Sequence, residues 1–121
     1  MDARAWTGRL FRAIDARDAD AFAGFLAEDA VFVLADAAPV AGRRAIRDAV
    51  AGFFASIRGL RHVVGDIWAV GDVAICRGSV TYTRHDGTTL TASFANVMEL
   101  RGGAIARYQI YVDISKLYAA A

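Results

Sequence analysis

The first half of the chain spaces its apolar residues mainly as helices do. Over 3–16, large apolar side chains recur every three to four positions, which predicts an amphipathic helix. Asp18 or Asp20 can cap a short second helix. The helical period returns over 43–58, and Gly59 is placed to end this third helix. The predicted apolar stripe of the second helix consists of Phe22, Phe25 and Leu26.

After Gly59 the apolar period changes to two, which is typical of strands. Tight turns are predicted between these strands, most clearly at Gly102-Gly103, because glycine accepts a positive φ at no steric cost. Before the third helix, 30–34 is short and rich in β-branched residues and predicts a buried strand, whereas 35–42 contains the only proline and predicts a loop. The four later strands are predicted at about 61–70, 73–84, 88–101 and 104–114.

This order of elements predicts an α+β fold. Three N-terminal helices would pack on one face of a strongly curved, mainly antiparallel sheet. With 121 residues, the chain is long enough for one core and short for two, so residues 1–121 are expected to form a single domain.

Composition and charge exclude several classes of function. The net charge is +1, from 14 basic and 13 acidic residues spread along the chain, so neither a nucleic-acid nor a membrane surface is indicated. Cys76 is the only cysteine, which excludes an intramolecular disulfide and gives no sign of a metal cluster. With no apolar leader or spanning segment in the sequence, a cytoplasmic protein is expected.

The apolar content is high for so small a domain. The hydrophobic fraction is 56% and the mean hydropathy is +0.33. Because a small domain has much surface per residue, some apolar side chains should lie outside the core. A subunit interface and an internal pocket are the two natural places for them.

One polar residue interrupts an apolar strand face. Alternation places Phe94, Asn96 and Met98 on the same side of their strand. A buried amide costs free energy unless it is hydrogen-bonded. The partner of Asn96 could be structural or could be a ligand, and the sequence leaves both open.

Four stretches of the sequence resemble the SnoaL-like branch of the nuclear-transport-factor-2-like superfamily. They are A-R-D-A-D-A-F-A-G-F-L-A-E-D-A-V-F (16–32), G-R-R-A-I-R-D-A-V-A-G-F-F (42–54), R-H-V-V-G-D-I-W-A-V-G-D-V-A (61–74) and the hairpin that ends in Y-V-D (111–113). The resemblance implies a conical shell in which a bent sheet surrounds an apolar cavity. It also implies a homodimer through the outer sheet face.

The best-known chemistries of this superfamily are not supported by the residues present. The tyrosine, the base and the acid of ketosteroid isomerases fall at Leu10, Leu34 and Asn96. The histidine and aspartate of SnoaL-type polyketide cyclases fall at Asn96 and Ile110. The two aspartates of limonene epoxide hydrolases fall at Val80 and Ile110. Apolar side chains therefore replace most of these catalytic groups.

Scytalone-dehydratase-like proteins give a better match. Their catalytic histidine and their substrate-binding asparagine correspond to His62 and Asn96. Histidine is suited to proton transfer near neutral pH, and an asparagine amide can hold or polarise a substrate carbonyl. Tyr82 and Tyr108 are candidate helpers. The alternatives are that His62 is exposed or bonded to the backbone, and that Asn96 is bonded to a neighbouring strand or to Tyr108.

Other candidates are weaker. Cys76 has no basic neighbour on its strand face and is interpreted as a small buried hydrophobe. Asp36 could be a flexible base but is better interpreted as a solvated loop residue, and Asp113 as a residue that fixes the C-terminal segment. The walls of the implied pocket would be Trp6, Leu10, Phe32, Leu34, Phe53, Cys76, Val80, Tyr82, Phe94, Met98, Tyr108 and Ile110.

The resulting hypothesis is an enzyme that needs no cofactor or metal and acts on a small hydrophobic carbonyl or phenolic compound. The reaction would be a dehydration, isomerisation or cyclisation by proton transfer, with His62 moving the proton and Asn96 orienting the substrate. The alternative is a non-catalytic module of the same fold that binds a small hydrophobic ligand or serves in dimerisation. The apolar residues Leu34, Val80 and Ile110 favour that alternative.

Overall fold

The computed structural model describes residues 2–118 of the chain. It contains three helices, α1 (Ala3–Asp15), α2 (Ala19–Ala23) and α3 (Arg43–Ala55). Carboxylates cap the first two: Asp2 Oδ1 accepts from the Ala5 amide at 3.1 Å, and Asp18 Oδ1 accepts from the Ala21 amide at 2.9 Å. Each cap bonds one of the amides that the first helical turn leaves without an intrahelical partner.

In the described part of the chain, six strands form one mixed sheet in the order β2-β1-β6-β5-β4-β3. Strand β1 pairs with β6 in parallel, and every other neighbouring pair is antiparallel. The fold is therefore α+β with a mixed sheet. The strands are β1 (Leu26–Leu34), β2 (Val40–Ala41), β3 (Gly59–Val70), β4 (Val73–Thr83), β5 (Thr89–Arg101) and β6 (Ala104–Val112).

The helices end earlier than predicted, and a strand separates the third helix from the first two, as the pattern at 30–34 predicted. Strands β1 and β2 lie between α2 and α3, so the three helices do not precede the sheet as one block. Helix α2 ends at Ala23, and Leu26 begins β1 because it pairs with Ile105 across the sheet. Gly59 does not end α3, which stops at Ala55, because Gly59 pairs with Thr83 as the first residue of β3.

The segment predicted as a loop contains a short strand. Val40 and Ala41 form β2 and pair with Phe32 and Val31 of β1. By contrast, the Gly102-Gly103 turn is as predicted: φ is 60° and 81° at the two glycines, and Arg101 pairs with Ala104. The long meander therefore follows the sequence pattern closely, whereas β2 depends on a partner strand.

A bulge in β3 lies opposite a glycine. The pairing with β4 shifts register between Val64 and Asp66, where β3 contains an extra residue. A Cβ added to Gly78 on β4 would lie 1.9 Å from the Val63 carbonyl oxygen, so only glycine allows this close approach. Because the bulge exchanges the two faces of β3, Ile67 packs against the core and Trp68 is exposed on the outer side.

The core lies between the helices and the inner face of the sheet. It includes Leu10 of α1, Ile46 of α3 and Met98 of β5, each fully buried. On the opposite side, Val63, Trp68, Val70 and Tyr111 are large apolar residues exposed to solvent. Within residues 2–118, every helix is too short or too polar to cross a bilayer.

Candidate functional site

A cavity of about 170 Å³ lies between the helices and the inner face of the sheet. Its walls are mostly apolar, and the polar side chains among them belong to His62, Tyr82, Asn96 and Tyr108. The remaining lining residues come from all three helices, the 35–42 segment and five of the strands. They are Ile14, Phe22, Phe32, Leu34, Ala37, Ala38, Val40, Ala49, Val50, Phe53, Phe54, Leu60, Phe94 and Ile110.

His62 is bound to the carboxylate of Asp15 by two hydrogen bonds. The ring Nδ1 lies 2.6 Å from Asp15 Oδ1, and the backbone amide of His62 donates to Asp15 Oδ2 at 3.0 Å. Both side chains are largely shielded from solvent, with 10% of the His62 side chain and 26% of the Asp15 side chain exposed. Because Asp15 holds both the amide and Nδ1, the imidazole has one orientation, and Nε2 is the ring nitrogen that stays available.

Two aromatic rings fix the His62 imidazole from the sides. Its centroid lies 4.6 Å from that of Phe11 on α1 and 5.1 Å from that of Phe94 on β5, the second at an interplanar angle of 85°. Helix α1 thus supplies both the carboxylate and one of these rings. The geometry resembles a positioned general base, in which a carboxylate and packing hold a histidine against a cavity.

Asp15 is a functional residue that the sequence pattern did not reveal. The residue lies next to the apolar stripe of α1 and 47 positions before its partner, so no local pattern connects the two. One signal was present: Asp15 is the last residue of α1. A carboxylate there interacts unfavourably with the negative end of the helix dipole, which indicates that a tertiary contact compensates it.

Asn96 and Tyr108 form a second polar pair inside the apolar walls. Asn96 Nδ2 donates to Tyr108 Oη at 3.0 Å, which is the structural partner that the sequence left open. Both residues are 1% exposed. Within residues 2–118, Asn96 Oδ1 is buried without a hydrogen-bond partner. The pair is therefore only partly satisfied, and the Asn96 carbonyl oxygen remains as an unused acceptor.

Burial keeps the other titratable groups near the cavity neutral. It raises the pKa of the Tyr108 hydroxyl well above its usual value and, together with the nearby Tyr118, raises the pKa of Tyr82 to about 12. Burial also raises the pKa of the Cys76 thiol to about 11. Both phenols are thus hydrogen-bond donors at neutral pH, and Cys76 is a thiol rather than a thiolate.

The predicted walls divide into two groups. Seven of the twelve line the cavity: Phe32, Leu34, Phe53, Tyr82, Phe94, Tyr108 and Ile110. Five do not, and the prediction is corrected for them: Trp6, Leu10, Cys76, Val80 and Met98 are core residues that neighbouring side chains cover completely or nearly so. Strand or helix periodicity identifies an inward side chain but does not tell whether it meets a cavity or another side chain.

The remaining carboxylates lie away from the cavity. Asp36 is exposed in the segment after β1. Asp113 accepts from the Ser115 amide at 3.0 Å and so fixes the turn after β6. Hydrogen bonding to the side chain and then to the backbone of Ser115 lowers the pKa of the Asp113 carboxyl. Asp66 pairs with Arg77 on the outer face. Among the described residues, the carboxylate that contacts a cavity-lining histidine is Asp15.

Comparisons with known proteins agree with this architecture. The chain is similar to TerC co-crystallised with polyporic acid (18% identity, TM-score 0.83, 96% of this chain and 95% of that chain). It is also similar to a protein with a ketosteroid isomerase-like fold from Catenulispora acidiphila in complex with trimethylamine (21% identity, TM-score 0.84, 93% of this chain and 88% of that chain). A third similar structure is an LEH-like epoxide hydrolase from Mycobacterium tuberculosis (16% identity, TM-score 0.80, 96% of this chain and 86% of that chain). At these identities the likeness shows the fold alone, which is the nuclear-transport-factor-2-like fold.

Sequence comparison gives the family. A search of curated proteins found no match. The sequence model of the SnoaL-like domain matches residues 7–108, which include most of α1, the Asp15–His62 pair and nearly all of the cavity walls. The chain therefore belongs to the SnoaL-like domain family.

Proposed function

We propose that this protein is an enzyme that catalyses proton transfer on a small hydrophobic carbonyl or phenolic compound, without a cofactor. The observation that supports this function best is the Asp15–His62 pair at the wall of an apolar cavity. The pair provides a carboxylate on Nδ1 and an open cavity beside the imidazole ring. A general base needs both.

The arrangement allows a balanced proton transfer. Asp15 accepts the Nδ1 hydrogen, so Nε2 of His62 has the free electron pair and removes a proton from the substrate carbon next to a carbonyl. The electron pair of that C–H bond moves to the carbonyl oxygen and forms an enolate, while the imidazolium is stabilised by Asp15. The same proton then returns to a different carbon in an isomerisation or to a leaving hydroxyl group in a dehydration.

The rest of the cavity would stabilise the enolate. Apolar walls lower the local dielectric constant, which strengthens each hydrogen bond to a developing charge. The neutral Tyr108 hydroxyl accepts from Asn96 and keeps its own proton for donation. Tyr108 is therefore a better donor to the substrate oxygen than Asn96, whose Nδ2 already has a partner.

The comparisons support an enzyme that acts on small molecules. One similar structure is named an epoxide hydrolase, and another holds polyporic acid. Their chemistry does not transfer residue by residue: Val80 and Ile110 occupy the positions that would hold the aspartates of limonene epoxide hydrolases. Proton transfer at His62 needs neither of those aspartates.

The proposal can be tested without knowing the natural substrate. 4-Hydroxyacetophenone is a one-ring compound with both a carbonyl and a phenol, and exchange of its methyl hydrogens for deuterium can be followed by proton NMR. We expect the protein to accelerate this exchange. The variants His62→Gln and Asp15→Asn should lower the acceleration by about 100-fold or more, the usual contribution of a general base.

The chain provides a matched control. His85 is the second histidine; it is exposed, and its Nε2 bonds to the Ala55 carbonyl at 2.8 Å. His85→Gln should leave the exchange rate unchanged. In Asp15→Asn, nitrogen-15 NMR should also show that the Nδ1–H tautomer of His62 is no longer fixed. Unchanged exchange in His62→Gln would refute the mechanism.

A second candidate function is carriage of a hydrophobic ligand without catalysis. The observation that favours it is the apolar character of Leu34 and Ile110, which line the cavity where relatives would place acids. Carriage predicts that 4-hydroxyacetophenone binds and that its hydrogens do not exchange faster than in buffer. The NMR experiment therefore separates the two functions in one sample.

We further propose that two copies associate through the outer sheet face. Val63, Trp68, Val70 and Tyr111 are 44–69% exposed there, and the Arg77 guanidinium lies over the Trp68 ring at 5.3 Å. Burial of these side chains against a second copy would remove them from water. Sedimentation equilibrium should give twice 13.0 kDa. Tyr111→Glu should give a monomer, whereas Tyr118→Glu, at an exposed tyrosine beyond the sheet, should not.

A further inference from the structure

The size of the cavity restricts its ligand to a single ring. Its volume is about 170 Å³. An apolar cavity of roughly 150 Å³ engineered in another protein holds one benzene molecule. The cavity volume therefore accommodates a six-membered ring with small substituents, whereas three or four fused rings would extend out of the cavity or would require the walls to move. Close packing makes such movement costly, because the helices and the sheet would have to separate.

The walls also restrict the charge of the ligand. Among residues 2–118, the lining includes no aspartate, glutamate, lysine or arginine. A carboxylate or ammonium group would lose its hydration on entry and would meet no opposite charge from a permanently ionised side chain. The Asp15 carboxylate is already occupied by His62. An uncharged ligand is therefore strongly favoured.

An unpartnered atom on one of the lining residues then indicates a functional group. Asn96 is 1% exposed, and its Oδ1 has no hydrogen-bond partner within the described chain. Its Nδ2 donates to Tyr108, and the pairing of Asn96 with Cys76 and Ile110 on the neighbouring strands holds the backbone in place. A buried carbonyl without a donor destabilises the protein, and a ligand that supplies an O–H group removes that penalty.

We infer that the ligand is an uncharged one-ring compound with a hydroxyl group that donates to Asn96 Oδ1. Asn96 then determines specificity: it distinguishes a phenol or enol from its ether or hydrocarbon analogue. The inference rests on the proposed function only in taking this cavity as the ligand site, and it holds for a carrier as well as for an enzyme.

The test is a ligand series on the wild-type protein, with binding followed by isothermal titration calorimetry. Three ligands share the ring and the methyl group. 4-Methylphenol has a hydrogen-bond donor, 4-methylanisole has no donor, and 4-methylbenzoate has a negative charge. We expect 4-methylphenol to bind about 10-fold or more tightly than 4-methylanisole, since the ether leaves Oδ1 unpartnered. 4-Methylbenzoate and the four-ring 1-hydroxypyrene should bind more weakly still.

One variant assigns the preference to Asn96. Leucine has the branching of asparagine without its polar atoms, so Asn96→Leu should bind 4-methylphenol and 4-methylanisole within about 2-fold of each other. Equal affinities in the wild-type protein would overturn the inference, as would tighter binding of the benzoate or of the pyrene. A phenol preference that survives in Asn96→Leu would assign the acceptor elsewhere and would also overturn it.

The two proposals fail in different ways. If 4-methylphenol binds selectively and the methyl hydrogens of 4-hydroxyacetophenone do not exchange, the ligand class stands and catalysis does not. If exchange depends on His62 and the phenol preference is absent, catalysis stands and the ligand class does not.

Discussion

The incomplete hydrogen bonding of Asn96 predicts that the protein can be stabilised by removing a polar pair. The double variant Asn96→Leu/Tyr108→Phe replaces the amide and the phenol, which bond to each other at 3.0 Å, with apolar side chains of similar shape. It also removes the buried carbonyl that has no partner in the described chain. Because the site adjoins the cavity, the larger leucine has space to fill.

The expected magnitudes follow from counting unpartnered groups. One buried polar group without a partner costs about 1–3 kcal/mol. Tyr108→Phe alone leaves the whole amide without a partner and should lower the free energy of unfolding by about that amount. Asn96→Leu alone removes one unpartnered group and creates another at the Tyr108 hydroxyl, so its effect should be close to zero. The double variant leaves no unpartnered group at this pair, and its free energy of unfolding should rise by about 1–3 kcal/mol.

Urea unfolding at pH 7 measures all four proteins under conditions where the buried phenols are neutral. For a slope of about 2 kcal/mol per molar urea, the double variant should shift its midpoint upward by roughly 1 M. A double variant less stable than the wild type, at an unchanged slope, would show that Asn96 Oδ1 is satisfied in the folded protein. The gain in stability should accompany loss of selective phenol binding, since function and stability compete at such a site.

Three further predictions concern stability. Burial raises the pKa of the Cys76 thiol from 9.0 to about 11. The stability that this shift contributes is therefore present below pH 9 and is lost as the pH rises towards 11. Between pH 8 and pH 10 the free energy of unfolding, measured in urea, should fall by about 1.3 kcal/mol less in Cys76→Ala than in the wild type. Gly78→Ala should lower the free energy of unfolding by about 1–3 kcal/mol, because the alanine Cβ would lie 1.9 Å from the Val63 carbonyl oxygen. Gly65→Ala, whose nearest contact is 3.6 Å, is the control, and equal thermal unfolding of the two variants would contradict the argument. Arg84→Met should lower the free energy of unfolding by about 1–3 kcal/mol, because Arg84 donates to the carbonyls of Lys116 and Leu117 at 3.0 and 2.8 Å. Unchanged hydrogen exchange around Leu117 would count against the role of Arg84 in holding this segment.

The elements that the sequence predicts correctly are those whose causes are local. The helical period and the Asp18 cap place α1 and α2, and the alternation of the four later strands predicts the meander. The Gly102-Gly103 turn depends only on glycine conformation. These features are set by residues a few positions apart, so a pattern along the chain is enough to predict them.

The rest of the fold depends on contacts between distant segments. The start of β1 depends on Ile105, and β2 depends on β1, because a strand needs a partner for its backbone hydrogen bonds. The bulge opposite Gly78 exchanges the faces of β3 and puts Trp68 outside. No alternation rule contains that information, since the rule assumes an unbroken register.

The site shows the same division. His62 and Asn96 could be proposed from single positions and a family resemblance, but Asp15 could not, and Tyr108 was one of several possible partners of Asn96. Asp15 lies 47 positions from His62 and Tyr108 lies 12 positions from Asn96, and each pair forms because packing brings two elements together. Whether an inward side chain meets a cavity or another side chain depends on the volume that all the elements leave between them. The sequence thus named the candidate residues, and the folded chain determined which atoms remain free to act.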